Sequence, residues 1–259
     1  MAKKASDVVE SAPKTEESGV AFDQYAGAGF ENIRPDDIAT PFLHIIQSNS
    51  PELQEDSPKF IPDAKAGMIV NSLTKQILGG RGEPVLFIPC SYKKMWVEWK
   101  QRDKGGGVVM AHDTEKVMSE TTRDDKTGKD MLPNGNIVVT TVYMFGLVET
   151  EGEVEKAVIS FTSTQLKKAR AWLSQMFSMK MTKADGTKFI PPIWSNKYHL
   201  STLPEKNDRG SWFGWKIELS GLIEAKLVQD AVSTAKLAAA PSVRQLPAHD
   251  EDGAGDSAF

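Results

Sequence analysis

The stretch IVVTTVYMFGLV, residues 137–148, combines β-branched and aromatic side chains and contains neither proline nor charge. Such a composition is typical of a strand. The turn residues Pro133-Asn134-Gly135 come shortly before it and give the chain a place to reverse. Because the stretch is well short of the roughly 18 apolar residues that a membrane helix needs, it predicts a strand over 137–149.

Shorter runs of the same kind recur on both sides of this stretch and predict six more strands. They lie near 67–73, 84–100, 107–111, 155–161, 195–202 and 212–223. Turn residues separate them, among them Gly79-Gly80, Gly105-Gly106-Gly107 and Asp185-Gly186. We therefore predict one mainly β domain over residues 21–236, built as a barrel or a sandwich, with no internal repeat.

One helix is predicted between two of these strands. Thr162 and Gln165 have the spacing of a capping box, and Phe161 and Leu166 that of a hydrophobic staple. An inward stripe at helical spacing follows, formed by Leu166, Ala169, Leu173, Met176 and Phe177. A weaker pattern predicts a second helix over 222–238, and Pro35-Asp36-Asp37-Ile38 is a candidate start for a short one.

Both ends of the chain have a different composition from the body. Residues 1–20 are rich in Lys, Glu, Ser and Ala, which predicts a disordered arm, and residues 237–259 predict a flexible acidic tail. The first lysines are followed by no hydrophobic stretch, so we expect no secretory signal and a cytoplasmic protein.

The formal net charge of −4 is concentrated at the C-terminus. Residues 245–259 contain four acids, Asp250, Glu251, Asp252 and Asp256, and no Lys or Arg. These four equal the whole formal charge, and the body over residues 20–244 is left near +1. A uniformly basic nucleic-acid binder is excluded, and any basic surface must be local.

No motif of catalysis or metal binding is present. The single cysteine, Cys90, is expected to be a buried strand residue, and the four histidines are scattered without metal-ligand spacing. LGGRGEP (78–84) lacks the lysine of a phosphate loop, and RDDKTGKD (123–130) has the composition of a hairpin tip. We therefore expect a protein that is not an enzyme and holds no metal or cofactor.

Two tryptophans stand out because strand alternation places them among polar neighbours. Trp96 shares its face with Tyr92, Lys94 and Glu98, whereas Trp99 falls on the apolar face and is predicted to be core. Trp212 alternates with Gly214, Lys216 and Glu218 in the same way. An outward tryptophan could cover a lysine stem or contact a loop, and it could also stack on a nucleic-acid base.

Basic residues group near these aromatic side chains. The first group surrounds the glycine turn at 105–107, the second flanks the last two strands, and the third lies along the predicted helix: Lys93, Lys94, Lys100, Arg102 and Lys104; Lys197, Lys206, Arg209 and Lys216; Lys167, Lys168 and Arg170. Each group alone is typical of a solvated surface. Together with Tyr92, Trp96 and Trp212 they predict a groove that follows a phosphate backbone and stacks bases.

The tail AHDEDGAGDSAF (248–259) and the segments FTSTQLKKARAWLSQM and NKYHLSTLPEKNDRGSWFGWKIEL resemble the single-stranded DNA-binding proteins of bacteriophages. The resemblance implies an elaborated oligonucleotide/oligosaccharide-binding (OB) barrel, followed by an acidic tail whose aromatic terminus, here Phe259, contacts a partner. One departure is Ala258, which stands where bacterial tails have proline, so a phage replication partner is expected to bind the tail rather than a bacterial tail receptor.

This resemblance implies sequence-independent binding of single-stranded DNA in phage replication, recombination or repair, inside the infected bacterial cell. The tail would recruit a phage helicase, polymerase or other replication protein, and it would compete with DNA for the groove. We expect no membrane association, and a homo-oligomer is compatible with the sequence. The alternatives are a non-enzymatic phage structural or host-interaction protein and a metal-dependent nuclease or annealing enzyme.

Overall fold

The computed structural model describes residues 22–25, 28–29, 31–32, 39–150, 152–208 and 210–238. The chain divides into two compact units, Met1–Ile38 and Ala39–Phe259. In the first, a 3-10 turn spans Phe22–Tyr25, and the Gly29 amide donates a hydrogen bond to the Glu31 carboxylate (3.0 Å). The other elements described below belong to the second unit.

Thirteen strands and two α-helices are described in the second unit. The strands are β1 (Phe42–Ile45), β2 (Ile69–Asn71), β3 (Ile77–Gly79), β4 (Val85–Trp99), β5 (Val108–His112), β6 (Thr122–Arg123), β7 (Asp130–Met131), β8 (Ile137–Thr150), β9 (Glu153–Phe161), β10 (Met181–Thr182), β11 (Lys188–Phe189), β12 (Asn196–Asn207) and β13 (Gly210–Leu222). The helices are α1 (Leu166–Ser178) and α2 (Val228–Ala238), and short 3-10 turns include Glu115–Glu120 and Ser163–Gln165.

Eleven of these strands form one curled, half-barrel sheet. Its main path runs β13-β12-β4-β8-β9-β1-β2-β3, β5 pairs with β4, and the β6–β7 hairpin joins β8 through β7. Neighbours are antiparallel except β1 and β9, which are parallel. The seven predicted strands are confirmed as β2, β4, β5, β8, β9, β12 and β13, and the fold is mainly β as predicted.

The first part of β4 (85–90) and the second part of β8 (141–148) are buried on both faces, which explains their apolar composition. The inner face of the curl carries a cluster that includes Phe87, Met144, Tyr198 and Trp215, and α1 packs into it. The outer face carries two further clusters, which α2 covers: Ile88, Cys90, Leu147, Leu227 and Ala231; Met95, Val97, Tyr143, Phe145 and Ala238. Cys90 is buried as predicted, and burial raises the pKa of its thiol to about 12.

The structure confirms both main helices but corrects the details of α1. Thr162 and Gln165 form no capping box, because the Gln165 side chain bonds to Glu205 on β12, to Trp215 on β13 and to the neighbouring Thr164 hydroxyl. Phe177 was predicted to face inward and is 70% exposed, whereas Trp172, Ala169 and Met176 form the buried stripe. The candidate short helix at 35–38 lies outside the described residues.

The backbone of β13, which pairs with β12, also forms hydrogen bonds with side chains from other segments. The Gln47 amide donates to the carbonyl of Phe213 (2.9 Å) and accepts from its N–H (2.8 Å). Two residues further along, the Trp215 N–H donates to the Gln165 side chain (3.0 Å), and Lys168 donates to the Trp215 carbonyl (2.6 Å). We call these contacts the seam, because they join the last strand of the sheet to the segments after β1 and at the start of α1.

We expect Gln47→Ala to lower the free energy of unfolding by about 1–3 kcal/mol, because it leaves both backbone groups of Phe213 without their partner. Urea denaturation followed by circular dichroism measures the change. Gln54→Ala, at an exposed glutamine nearby, is the matched control and should change the unfolding free energy by about 0.5 kcal/mol or less. Equal stability of the wild type and Gln47→Ala would contradict the proposed importance of the seam.

Candidate nucleic-acid interface

Tyr92 of β4 lies within electrostatic reach of Arg170 of α1. Tyr92 lies opposite Met144 on the inner face of the sheet, and its side chain remains 38% exposed. Burial raises the pKa of the Tyr92 hydroxyl above its usual value, and the positive charge of nearby Arg170 partly offsets this effect. Lys94 is two residues along the strand and therefore on the same face.

Phe177 adds a second exposed ring on this side of α1. It follows Arg170 by seven residues, which is two helical turns, so the two side chains project from the same flank of the helix. We call Tyr92, Lys94, Arg170 and Phe177 the aromatic–basic face. Exposed aromatic rings and cations are the side-chain types that bind single-stranded nucleic acid by stacking and phosphate neutralisation.

Trp96 does not belong to this face, although its alternation with polar residues predicted an outward side chain. It is only 7% exposed and packs with Val117, Leu132 and Val138. The 3-10 turn at Glu115–Glu120 and the residues after β7 fold over its strand face and cover it. The Lys94 ammonium lies 4.7 Å from the centre of the Trp96 ring, so Lys94 shields what remains of the indole.

A buried carboxylate fastens this covering segment to β4. Glu98 accepts hydrogen bonds from Asn134 (3.2 Å) and Asn136, and His112 lies 3.2 Å from its second oxygen. Burial alone would raise the pKa of Glu98, but the hydrogen bonds from Asn136, Asn134 and His112 outweigh it and lower the pKa below its usual value. Glu98, whose polarity predicted a solvent-exposed strand face, therefore forms hydrogen bonds within the fold.

We expect the Glu98 carboxylate to make the fold acid-sensitive. Because its pKa is lowered in the folded state, its contribution is present above the unfolded value of about 4.3 and is lost as the pH falls through the folded value. The difference in unfolding free energy between the wild type and Glu98→Gln should therefore shrink from pH 5 to pH 3 in urea titrations. Glu83→Gln, at an exposed glutamate, is the control, and a difference that does not change with pH would contradict the prediction.

Lys168, on the other flank of α1, and Lys216 of β13 line a groove of about 540 Å³. The groove is lined by α1, β12 and β13: Lys168, Ala171, Trp172, Gln175, Leu203, Glu205, Trp215, Lys216 and Ile217. Lys168 forms an ion pair with Glu205. The pair lies over Gly214, where a Cβ atom would come within 2.6 Å of both Lys168 Nζ and Glu205 Oε2. Glycine at this position thus makes room for the ion pair.

Glu205 also fixes the orientation of Trp212. The indole N–H donates to Glu205 Oε2 (2.7 Å), and Gln165 donates to the same oxygen (3.1 Å). Burial opposes ionisation of Glu205, but the hydrogen bonds from Lys168, Gln165 and Trp212 outweigh it and lower the pKa of the carboxyl. Trp212 is half-buried rather than free, and the groove contains a fixed negative charge between its lysines.

The other predicted basic residues do not converge on one groove. Lys93 is on the outer face, 3.7 Å from Asp113, and Lys197 bonds to Glu224 (2.8 Å). Lys216 pairs with Glu218 (2.8 Å). The rest are exposed on α1, at the tip after β4 or at the end of β12: Lys167, Lys100, Lys104 and Lys206. The Arg102 side chain and Arg209 are outside the described part of the chain.

The predicted partner-binding tail, Asp250, Glu251, Asp252, Asp256 and Phe259, also lies outside the described residues. Among the residues that the structure describes, no group of three or more His, Cys, Asp or Glu side chains is placed to hold a metal ion. In the same part of the chain, no helix is long and apolar enough to cross a membrane.

Sequence reasoning missed Phe177 and Trp172, although the helix carried a usable signal. Ala169, Trp172 and Met176 follow one another at intervals of three and four residues, the spacing of a buried stripe. The same helical phase places Phe177 beside Arg170 and away from the core. Tyr92, Lys94 and Arg170 were predicted as site residues; all three are exposed, and Arg170 is close enough to Tyr92 for its charge to act on the hydroxyl.

The fold and this face define a mainly β protein with a half-barrel sheet, an inserted helix and exposed aromatic and basic side chains. The family model described as Pam3 phage gp34-like protein matches residues 12–243, so the chain belongs to that family, which is a family of bacteriophage proteins. No curated protein and no solved structure matches the chain.

Proposed function

We propose that this protein binds single-stranded DNA without sequence preference, through an OB-type barrel, in phage replication, recombination or repair. The aromatic–basic face is the observation that supports this proposal. It combines the two exposed rings, Tyr92 and Phe177, with the cations of Lys94 and Arg170. No enzymatic step is part of the proposal.

In this mechanism the bases stack on Tyr92 and Phe177, and Lys94 and Arg170 neutralise phosphates. Stacking depends on the π-face that every base has, so it gives affinity without sequence reading. Lys167, three residues before Arg170 on the helix, extends the basic flank. The α1–β12–β13 groove is a poorer path for phosphates, because Glu205 lies between its lysines.

The acidic tail has two roles in this proposal. Its charges, at Asp250, Glu251, Asp252 and Asp256, let it occupy the basic surface when DNA is absent, and Phe259 is an apolar anchor for a replication protein of the phage. The near-neutral body supports this division, since attraction between tail and body then depends on local basic groups. The proposed place of action is the cytoplasm of the infected cell.

A phage structural or host-interaction protein is the second candidate. The exposed apolar residues of β5, Val108, Val109 and Met110, favour it, because adjoining exposed apolar side chains are typical of protein contacts. The two candidates predict different results with DNA.

Fluorescence anisotropy with a labelled dT oligonucleotide tests the proposal on the full-length chain. We expect binding to single strands that is tighter than to a duplex of the same length, similar for dT and mixed sequences, and steeply weakened by salt. Neutralising the tail, with Asp250→Asn, Glu251→Gln, Asp252→Asn and Asp256→Asn, should tighten binding at low salt. Absence of binding at low salt would overturn the proposal and favour the second candidate, whereas unchanged binding by the neutral-tail variant would overturn only the competition.

A further inference from the structure

The outer face of the sheet is only partly covered at the last residues of β4. Helix α2 lies on this face and runs in the same direction as β4. Ala231 of α2 packs with Cys90, whereas Ala238, the last residue of the helix, lies in the cluster of Met95 and Val97 further along the strand. The chain therefore leaves α2 toward the end of β4.

Three side chains lie beyond Ala238 on this face. Trp99 and Ala111 are half-buried against the same cluster, and Val108, which is opposite Trp99 on β5, is 38% exposed. We call Trp99, Val108 and Ala111 the tip face. The indole N–H of Trp99 is buried and has no hydrogen-bond partner among the described residues. Because buried polar groups are nearly always hydrogen-bonded, an acceptor from outside those residues is expected at Trp99.

The segment that follows α2 has a composition that suits this face. Residues 239–247 are AAPSVRQLP, and Pro241 ends the helical pattern and favours the extended polyproline II backbone. That backbone has three residues per turn, so Ala240, Val243 and Leu246 would share one face. It makes no internal hydrogen bonds, so its carbonyls are free to accept from a partner. The segment thus offers both an apolar stripe and acceptors.

We propose that residues 239–247 form an extended strap across the tip face, with Val243 packed on Trp99 and a strap carbonyl accepting the hydrogen bond of the indole N–H. The lengths agree with this path. Val243 is five residues after Ala238, which corresponds to about 15 Å of polyproline II chain. Trp99 is four residues after Met95, which corresponds to about 13 Å along a strand.

The strap would also determine where the acidic tail begins. Lys100 and Lys104 follow Trp99 at the tip of the sheet and are exposed, and Asp250 comes three residues after the strap ends. The strap therefore holds the first acids of the tail near these two cations, with an attraction that salt screens. The strap itself does not depend on the proposed binding of DNA, and its tests use no DNA.

Bimane fluorescence tests the strap on the full-length chain, because tryptophan quenches this fluorophore at contact distance. Ser242→Cys supplies the reactive thiol, since Cys90 is buried and burial raises the pKa of its thiol to about 12. Bimane at residue 242 should be at least about twofold dimmer than bimane at Ser257→Cys in the tail, and Trp99→Phe should restore its brightness. Equal brightness at the two positions, or quenching that persists in Trp99→Phe, would overturn the proposal.

Two double variants in the Ser242→Cys background test the face of the strap. Val243→Ser/Leu246→Ser should remove most of the quenching, whereas Arg244→Ser/Gln245→Ser, which changes the other faces of the same segment, should keep it. Equal quenching in the two variants would overturn the assigned face. Quenching that increases with protein concentration would mean that the segment of a second copy covers the tip face, and it would overturn the intramolecular strap.

A disulfide provides an independent measurement of the same contact. Val108→Cys/Val243→Cys should close under mild oxidation at least about tenfold faster than Leu222→Cys/Val243→Cys, because a disulfide needs Cα atoms within about 7 Å of each other. Leu222 is the control position, since it is 62% exposed on β13, at the other end of the sheet. Equal rates for the two pairs would show that residue 243 is not held at the tip face and would overturn the strap.

Discussion

Replacing Trp172 by alanine is expected to lower the free energy of unfolding by about 3–5 kcal/mol, the usual cost of deleting a buried large aromatic side chain. Trp172 is 3% exposed, and its ring lies 5.1 Å from that of Tyr198 and 6.3 Å from those of Phe87 and Phe161. Alanine would leave a cavity where α1 enters the curl of the sheet. A domain with ordinary marginal stability would lose much of its folded population.

Thermal and urea unfolding followed by circular dichroism measure this loss. Phe177→Ala is the matched control, since it removes an aromatic ring from the same helix at a position 70% exposed and should change stability by about 0.5 kcal/mol or less. Trp172→Phe keeps one ring and should lose less than Trp172→Ala. A loss for Trp172→Ala as small as that for Phe177→Ala would show that α1 does not pack into the sheet.

The second large effect is expected on DNA binding. The double variant Tyr92→Ala/Phe177→Ala should weaken binding of a dT oligonucleotide by at least about 30-fold, because each stacked base contributes about 1–3 kcal/mol and 1.4 kcal/mol is a factor of ten. Both side chains are exposed, so their loss should leave the fold intact. Fluorescence anisotropy at low salt gives the affinity, and circular dichroism checks the fold.

Two controls separate stacking from charge. Tyr92→Phe keeps the ring and should bind almost as the wild type does. Lys94→Gln/Arg170→Gln should reduce the slope of log affinity against log salt by about 1.4, since each lost contact to a single strand removes about 0.7. Lys183→Gln, at an exposed lysine of the β10–β11 hairpin, should leave the slope unchanged. Wild-type affinity in the double alanine variant would exclude the aromatic–basic face as the binding surface.

Local patterns in the sequence were sufficient to predict most of the β architecture. The runs that became β4 and β8 are rich in β-branched and aromatic residues, and glycine-containing turns border them. The short strands β1 and β3 were missed, because three or four residues carry little periodicity; β2, equally short, was predicted only within the longer stretch 67–73. Their place in the sheet depends on pairing with distant strands, β1 with β9 for example.

Distant contacts also explain two side-chain orientations that were predicted wrongly. Trp96 has polar neighbours along its strand, and only the return of residues 115–132 over that face buries it. Gln165 has the spacing of a capping residue, but Glu205 and Trp215 compete successfully for its amide. Tyr92, Lys94 and Arg170 are exposed, as predicted, because strand alternation and helical phase fix their directions locally.

The seam has a consequence for the order of folding events. Gln47 and Phe213 are separated by 166 residues in sequence, so their contact closes one of the longest loops in the chain and should form late. In hydrogen exchange, the amides of Phe213 and Trp215 should lose protection before those that pair β4 with β8. The half-barrel would then open at the seam while the pairing between β4 and β8 remains intact.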